Sequence, residues 1–294
     1  MPKKTLSQKA LKAHLDHLAD HYHVHDFIDN DPMRFAHPFR HDLHRCEANS
    51  LLAAFLSYGR RETIIAKLTE LFDRLEAPVY DVLKGDLEPV EKRLRGFVYR
   101  FNTGRDIYNL LTWWKDFYER HDSHLDALKR LAGGFPLPCP PPKGEGVKRE
   151  AIIQRQHMQS LMHEWLSLWL PDDFLHGRYS YGTRYLVPHP ATGGACKRIH
   201  MALRWLCRDD SHMGENAVDF GLWSEVIPPS ALMMPMDTHV GRLSREWGML
   251  TRKSTDWKSA EELTARLAKM CPEDPCRYDF AFLGFGVDEV RGRV

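Results

Sequence analysis

Apolar residues recur along this chain at the three-to-four-residue spacing that lines one face of a helix. Leu51, Leu52, Phe55 and Leu56 form one such set; Ile64, Ile65, Leu68, Leu71, Phe72 and Leu75 form a second; Ile107, Leu110, Leu111 and Trp114 form a third. The pattern resumes at 152–170, at Ile199, Ala202, Leu203 and Leu206, and at Trp257, Ala260, Leu263, Leu267 and Met270. Alternating runs that would mark strands are nearly absent, so the pattern predicts an all-α protein with at most a short extended stretch over Arg184 to Val187.

Boundary signals agree with this reading. Asp237 stands before a segment that runs to Trp247 and stops at Gly248, the pattern of an N-cap and a C-terminal glycine. Thr255 or Asp256 caps the next helix in the same way. Phe135 to Gly146 carries five prolines and two glycines around Cys139, which predicts an irregular connection. We therefore expect an N-terminal helical half at 1–134, a connection at 135–150 and a second half at 151–294, the two halves forming one compact unit.

Composition adds limits. The 294 residues suffice for one large domain or two ordinary ones, and 43% hydrophobic with 28% charged residues excludes wholesale disorder. No apolar run approaches the roughly 20 residues of a membrane span, and Met1 to Ala10 lacks the apolar stretch of a secretory signal. Six scattered cysteines fit a reducing compartment, so a cytoplasmic protein is expected. The net charge of +1 means that any pull on nucleic acid must be local.

A local patch exists. Arg184, Lys197, Arg198, Arg204 and Arg208 fall within 25 residues that contain no acid. Inside that stretch, Pro190-Ala191-Thr192-Gly193-Gly194-Ala195 predicts a tight turn just before a helix, whose free N–H groups favour a phosphate. Lys197, His200, Arg204 and Arg208 share one face of that helix, which we expect to meet an anion, while the apolar face packs. A second segment, Pro235-Met236-Asp237-Thr238-His239-Val240-Gly241-Arg242, lies 40 residues beyond Lys197 when counted to Asp237.

Together these two segments resemble the helix-hairpin-helix DNA glycosylases of the endonuclease III-like superfamily, and more closely a family of uncharacterised bacterial proteins placed there, over most of the chain. The resemblance implies an all-α fold with two helical subdomains flanking a cleft. It implies that Gly193 stands for the first hairpin glycine, that Lys197 holds the place of the lysine that attacks the sugar, and that Asp237 is the catalytic aspartate. Thr192, Gly194, Ala195, Arg198, His239 and Arg242 then join Gly193 as DNA-binding residues. Leu51 to Gly59, Gly96 to Arg100 and Asp279 to Val287 are similar to further stretches of that superfamily. The chain departs from the pattern in four ways: Ala195 replaces the second hairpin glycine, the Lys197–Asp237 gap is long, Asp209 to Met234 would have to loop out, and no four-cysteine iron–sulfur pattern closes the chain.

The implied function is a base-excision-repair DNA glycosylase, with or without lyase activity, acting as a monomer without cofactor on damaged double-stranded DNA. A buried carboxylate stabilises the charge that builds on the sugar, and an amine can form a Schiff base. Tyr58, Tyr99, Phe101 and Trp223 are candidates to hold an extruded base. Two other readings stay open. One is a helix-hairpin-helix protein that binds DNA without cutting it. The other rests on eight histidines before residue 45, with His14, His17 and His21 at helical spacing followed by His23, His25 and Asp26, a set that could bind a transition metal. We read that helix as solvated and expect no metal.

Overall fold

The computed structural model describes residues 7–132, 147–290 and 292. The expected connection at 135–150 lies outside the described residues up to Gly146, and Val147 begins a helix. Thirteen α-helices are present among the described residues. They are α1 (Gln8–Tyr22), α2 (Leu43–Phe55), α3 (Arg61–Leu75), α4 (Val79–Lys84), α5 (Glu88–Leu94), α6 (Gly104–Arg120), α7 (His124–Ala132), α8 (Val147–Ser167), α9 (Tyr181–Leu186), α10 (Lys197–Cys207), α11 (Thr238–Glu246), α12 (Trp257–Leu267) and α13 (Asp279–Val290). The fold is mostly helical, as the periodicity predicts. Its one sheet is a two-stranded hairpin, β1 (Val98–Tyr99) and β2 (Asn102–Thr103). The extended stretch expected at Arg184 to Val187 is instead mostly helical: Ser180 caps α9 by accepting from the Thr183 N–H, and the helix runs through Leu186.

Residues of Met1–Phe27, Leu137–Gln159 and Pro190–Val294 form one compact unit, and those of Ile28–Pro136 and Ser160–His189 form another. Both units are discontinuous in sequence.

In the second unit, α2 is the central helix, and Leu51 to Phe55 are entirely withdrawn from solvent. Its buried Glu47 accepts from the Tyr118 hydroxyl and from the N–H of His124, both at 2.8 Å, so an acid inside the core satisfies a buried N–H that the start of α7 leaves without a partner in its own helix. The hairpin pairs Val98 with Thr103 and Tyr99 with Asn102. Thr103 then caps α6 in a reciprocal box with Asp106.

In the first unit, α1 lies along α13. The Tyr22 hydroxyl donates to Asp288 at 2.7 Å, and the Tyr278 hydroxyl to Asp16 at 2.9 Å. Gly284 is required there because a Cβ would stand 2.2 Å from the Tyr22 ring. Helix α10 is buried on nearly every side, with Ile199, Ala202, Trp205 and Leu206 all in the core.

The segment expected to loop out after α10 does the opposite. Phe220 and Trp223 donate their N–H groups to the carbonyls of Trp205 and Leu206, each at 2.7 Å, and Val218 and Trp223 are wholly buried. The polar backbone at the end of α10 is satisfied by this return. No helix among the described residues is long and apolar enough to cross a membrane.

Candidate functional site

The turn before α10 forms as the Gly-Gly sequence requires. Pro190–Thr192 makes a 3-10 turn, and Gly193 follows at φ +73°, in the left-handed region, with nothing within 4 Å of where a Cβ would stand. Its carbonyl accepts from the Trp257 N–H at 3.0 Å, and Gly194 bridges to Asp256, so the turn is fastened to the start of α12. Thr192 and Gly193 face solvent and Gly194 is half-buried, whereas Ala195 and Arg198 are buried.

Lys197 opens α10 and is half-buried. Asp237 caps α11: its Oδ1 accepts from the Val240 N–H at 2.9 Å. His239 is exposed on the first turn of that helix, and Arg242 donates to Glu246 at 3.0 Å, one turn along. Lys197 and Asp237 bear on the same group, the buried carboxyl of Asp279 at the start of α13. Burial pushes that carboxyl up to about 6; Arg204 and Lys197 pull it down, and Asp237 and Asp219 push it further up. The structure therefore brings the lysine and the aspartate singled out from sequence into one electrostatic neighbourhood, around an acid that the site reading did not include.

The remaining basic side chains of α10 do not form an open face. His200, Arg204 and Arg208 are buried. Arg204 donates to Asp219 at 3.0 Å and to Asp279 at 3.2 Å, and its guanidinium lies 3.9 Å from the centre of the Phe280 ring. Arg208 donates to Asp219 and, at 2.8 Å, to Asp274. The expectation of a face that meets an external anion is corrected for these residues: the anions are the protein's own, delivered by the 209–234 segment and by the run into α13. Each of these two guanidiniums is met by two carboxylates inside the unit, as a buried charge requires partners.

His200 lacks a partner of that kind. Neither ring nitrogen has a hydrogen bond among the described residues, the ring packs 5.2 Å from that of Trp257, and burial pushes its pKa down to about 3.

The histidines of α1 disperse. His14 packs edge-on to Trp247 and Phe285, and His17 stacks with His21; the side chain of Asp26 lies outside the described residues. His23 joins the buried network, with Nε2 2.6 Å from Asp210 Oδ2. His23, Asp210 and Asp219 offer ligand atoms within 4.8 Å of one another, the spacing of a metal site. Their surroundings suit an ion-pair network better. Arg204 Nη2 lies 3.4 Å from His23 Nδ1, which makes that nitrogen the acceptor and leaves the proton on Nε2 for Asp210, while Asp219 Oδ2 accepts from two guanidiniums and its Oδ1 has no hydrogen bond among the described residues. Burial alone would raise Asp210, but His23, Arg208 and the Asp219 N–H hold it well below the usual carboxylate range.

Of the four aromatic candidates, Trp223 and Tyr99 are core residues, Tyr58 is half-buried and Phe101 is exposed. Sequence reading missed Asp219 and Asp279 as partners of α10. The available signal was the absence of any acid within 184–208, which leaves buried arginines to be neutralised from elsewhere.

Residues 31–288 match a family described as Protein of unknown function (DUF2400), and the chain belongs to that family. Comparison with curated proteins and with solved structures found no match.

Proposed function

We propose that this DUF2400 member is a helix-hairpin-helix DNA glycosylase, with Asp237 and Lys197 as its reacting pair. What supports the reading is that Lys197 at the start of α10 and Asp237 at the start of α11 both lie near enough to the buried Asp279 carboxyl to influence it, the one pulling its pKa down and the other pushing it up. The order of turn, amine and carboxylate along the chain adds support. Thr192 and Gly193 are the parts of the turn open to a phosphate, with Gly194 partly so. Base contacts do not enter the proposal.

In the proposed step, the base leaves the sugar with the electron pair of its N-glycosidic bond. Asp237, kept oriented by the Val240 N–H, stabilises the positive charge that builds at C1′. Lys197, as the free amine, forms the new bond to C1′ and gives one proton to the departing base; the C1′–O4′ bond then breaks, O4′ takes the second amine proton, and a Schiff base remains.

Borohydride trapping over a panel of lesion-bearing duplexes tests this. A covalent adduct that is lost in Lys197→Ala supports the lyase form, and base release without an adduct supports a glycosylase that uses water. If the chain binds duplex DNA, releases no base from any lesion, and binds equally well as Asp237→Asn, the proposal fails in favour of a DNA-binding protein without catalysis.

A further inference from the structure

Among the described residues, four large apolar side chains are well exposed, and two of them lie together: Phe101 at the turn of the hairpin and Tyr181 at the start of α9, exposed by 44% and 59%. Such exposure at one place in a soluble fold marks a contact surface. Its composition is specific. The Phe101 ring stands edge-on to Tyr181 at 5.3 Å and to Tyr185 at 4.9 Å, and lies parallel to Tyr58 within 11°. The Arg100 guanidinium lies 5.8 Å from the ring centres of both Tyr58 and Phe101.

The support beneath this surface is rigid. Gly182 sits so close that a Cβ there would be 2.1 Å from the Phe101 carbonyl. Asn102 donates to the Gly182 carbonyl at 2.7 Å and accepts from the Tyr58 hydroxyl at 2.5 Å. The local carboxylate, Asp106, is buried and fully used: it accepts from the hydroxyls of Ser180, Thr183 and Thr103 and from the Thr103 N–H. By contrast, Arg100 and Arg184 have no ion pair among the described residues; Arg100 lies against Tyr58 and Phe101, and Arg184 precedes Tyr185 on α9. The surface thus offers flat rings and uncompensated guanidiniums.

We propose that this face binds single-stranded nucleic acid, with Phe101 and Tyr181 stacking on unpaired bases and Arg100 and Arg184 taking phosphates. Rings of this kind accept any base because every base has a flat face, and arginine serves both ring and phosphate. The proposal is independent of the base-excision reading, since its residues belong to the other compact unit. Adduct trapping and base release read Lys197 and Asp237, whereas oligothymidine affinity reads this surface, so either reading can fail alone.

The test is fluorescence anisotropy of labelled oligothymidine with the full chain, competed by oligouridine, blunt duplex DNA and polyglutamate. Oligothymidine and oligouridine are both expected to bind more tightly than duplex or polyglutamate, with affinity that falls as salt rises. Phe101→Ala should weaken binding about tenfold, Phe101→Trp should restore it, and Arg100→Gln should lower the salt slope by about one charge. Tyr181→Ala provides a second probe at a ring that is mostly outside the core, with circular dichroism to establish that each variant is folded. Unchanged affinity in folded Phe101→Ala and Tyr181→Ala overturns the proposal, as does binding of duplex or polyglutamate as tight as that of either single strand.

Discussion

Arg204 donates to Asp219 across 3.0 Å, and neither side chain reaches solvent. This pair ties α10 to the segment that returns over it, and the same guanidinium holds Asp279. Arg204→Met leaves Asp279 with no ion pair and Asp219 with Arg208 alone. A loss of about 3–5 kcal/mol is expected in urea unfolding, the usual result of orphaning a buried charge. Arg204→Lys should rescue little, because one ammonium cannot reproduce a fork that reaches two carboxylates. A loss below about 1 kcal/mol would mean that the network contributes little.

Acid sensitivity has a calculable sign. His200 and His124 are pushed down to about 3 and His189 to about 4, all mainly by burial, from an ordinary 6.5. Each binds a proton more readily when unfolded, so its contribution is complete above about pH 6.5 and is lost as pH falls toward 3–4. Asp279 opposes this: its carboxyl, raised by burial to about 6, binds a proton more readily when folded, so its term improves as pH falls through 6. Three groups outweigh one, and stability should decline from pH 6.5 downward. His200→Phe removes a ring with no hydrogen bond to lose, and its urea midpoint should depend less on pH below 6.5 than the parent's. An identical pH profile would refute the assignment.

Asp237 separates two roles cleanly. Asparagine caps a helix as well as aspartate does, whereas alanine forfeits the bond to the Val240 N–H. Thermal melts should show Asp237→Ala about 1 kcal/mol less stable and Asp237→Asn close to the parent. If both variants lose base release while only the first loses stability, the carboxylate charge is needed for more than capping.

The His23 cluster gives a test by removal. With two guanidiniums on Oδ2 of Asp219 and His23 donating to Asp210, prolonged dialysis against a chelator should leave the melting temperature unchanged. Stoichiometric zinc by elemental analysis, lost in His23→Ala, would show instead that the three ligand atoms close on an ion.

Helices such as α3, α6 and α12 were legible because each sets one apolar face against a core, and the spacing of Ile64, Leu68, Leu71 and Leu75 records that directly. The caps at Asp237 and Asp256 were legible because they act on residues three positions away. The hairpin was not: two-residue strands leave no alternation to count, and its turn uses Arg100 at φ +52° rather than glycine. The fate of α10 was hidden for a different reason. A row of basic residues on a helix looks solvated until the distant acids that bury it are known, and Asp279 is 75 positions from Arg204.

The hydrogen bond from Tyr22 to Asp288 spans 266 positions. During synthesis, therefore, α1 emerges from the ribosome long before α13 exists to cover it, and Leu11, Leu15 and Leu18 stay uncovered while the residues of the other unit are made. Closing so long a loop costs entropy before it returns any contact. A nascent chain released or stalled short of α13 presents an apolar helix to whatever holdase or neighbouring chain is near, so the completeness of the message governs how much of this protein reaches its native state.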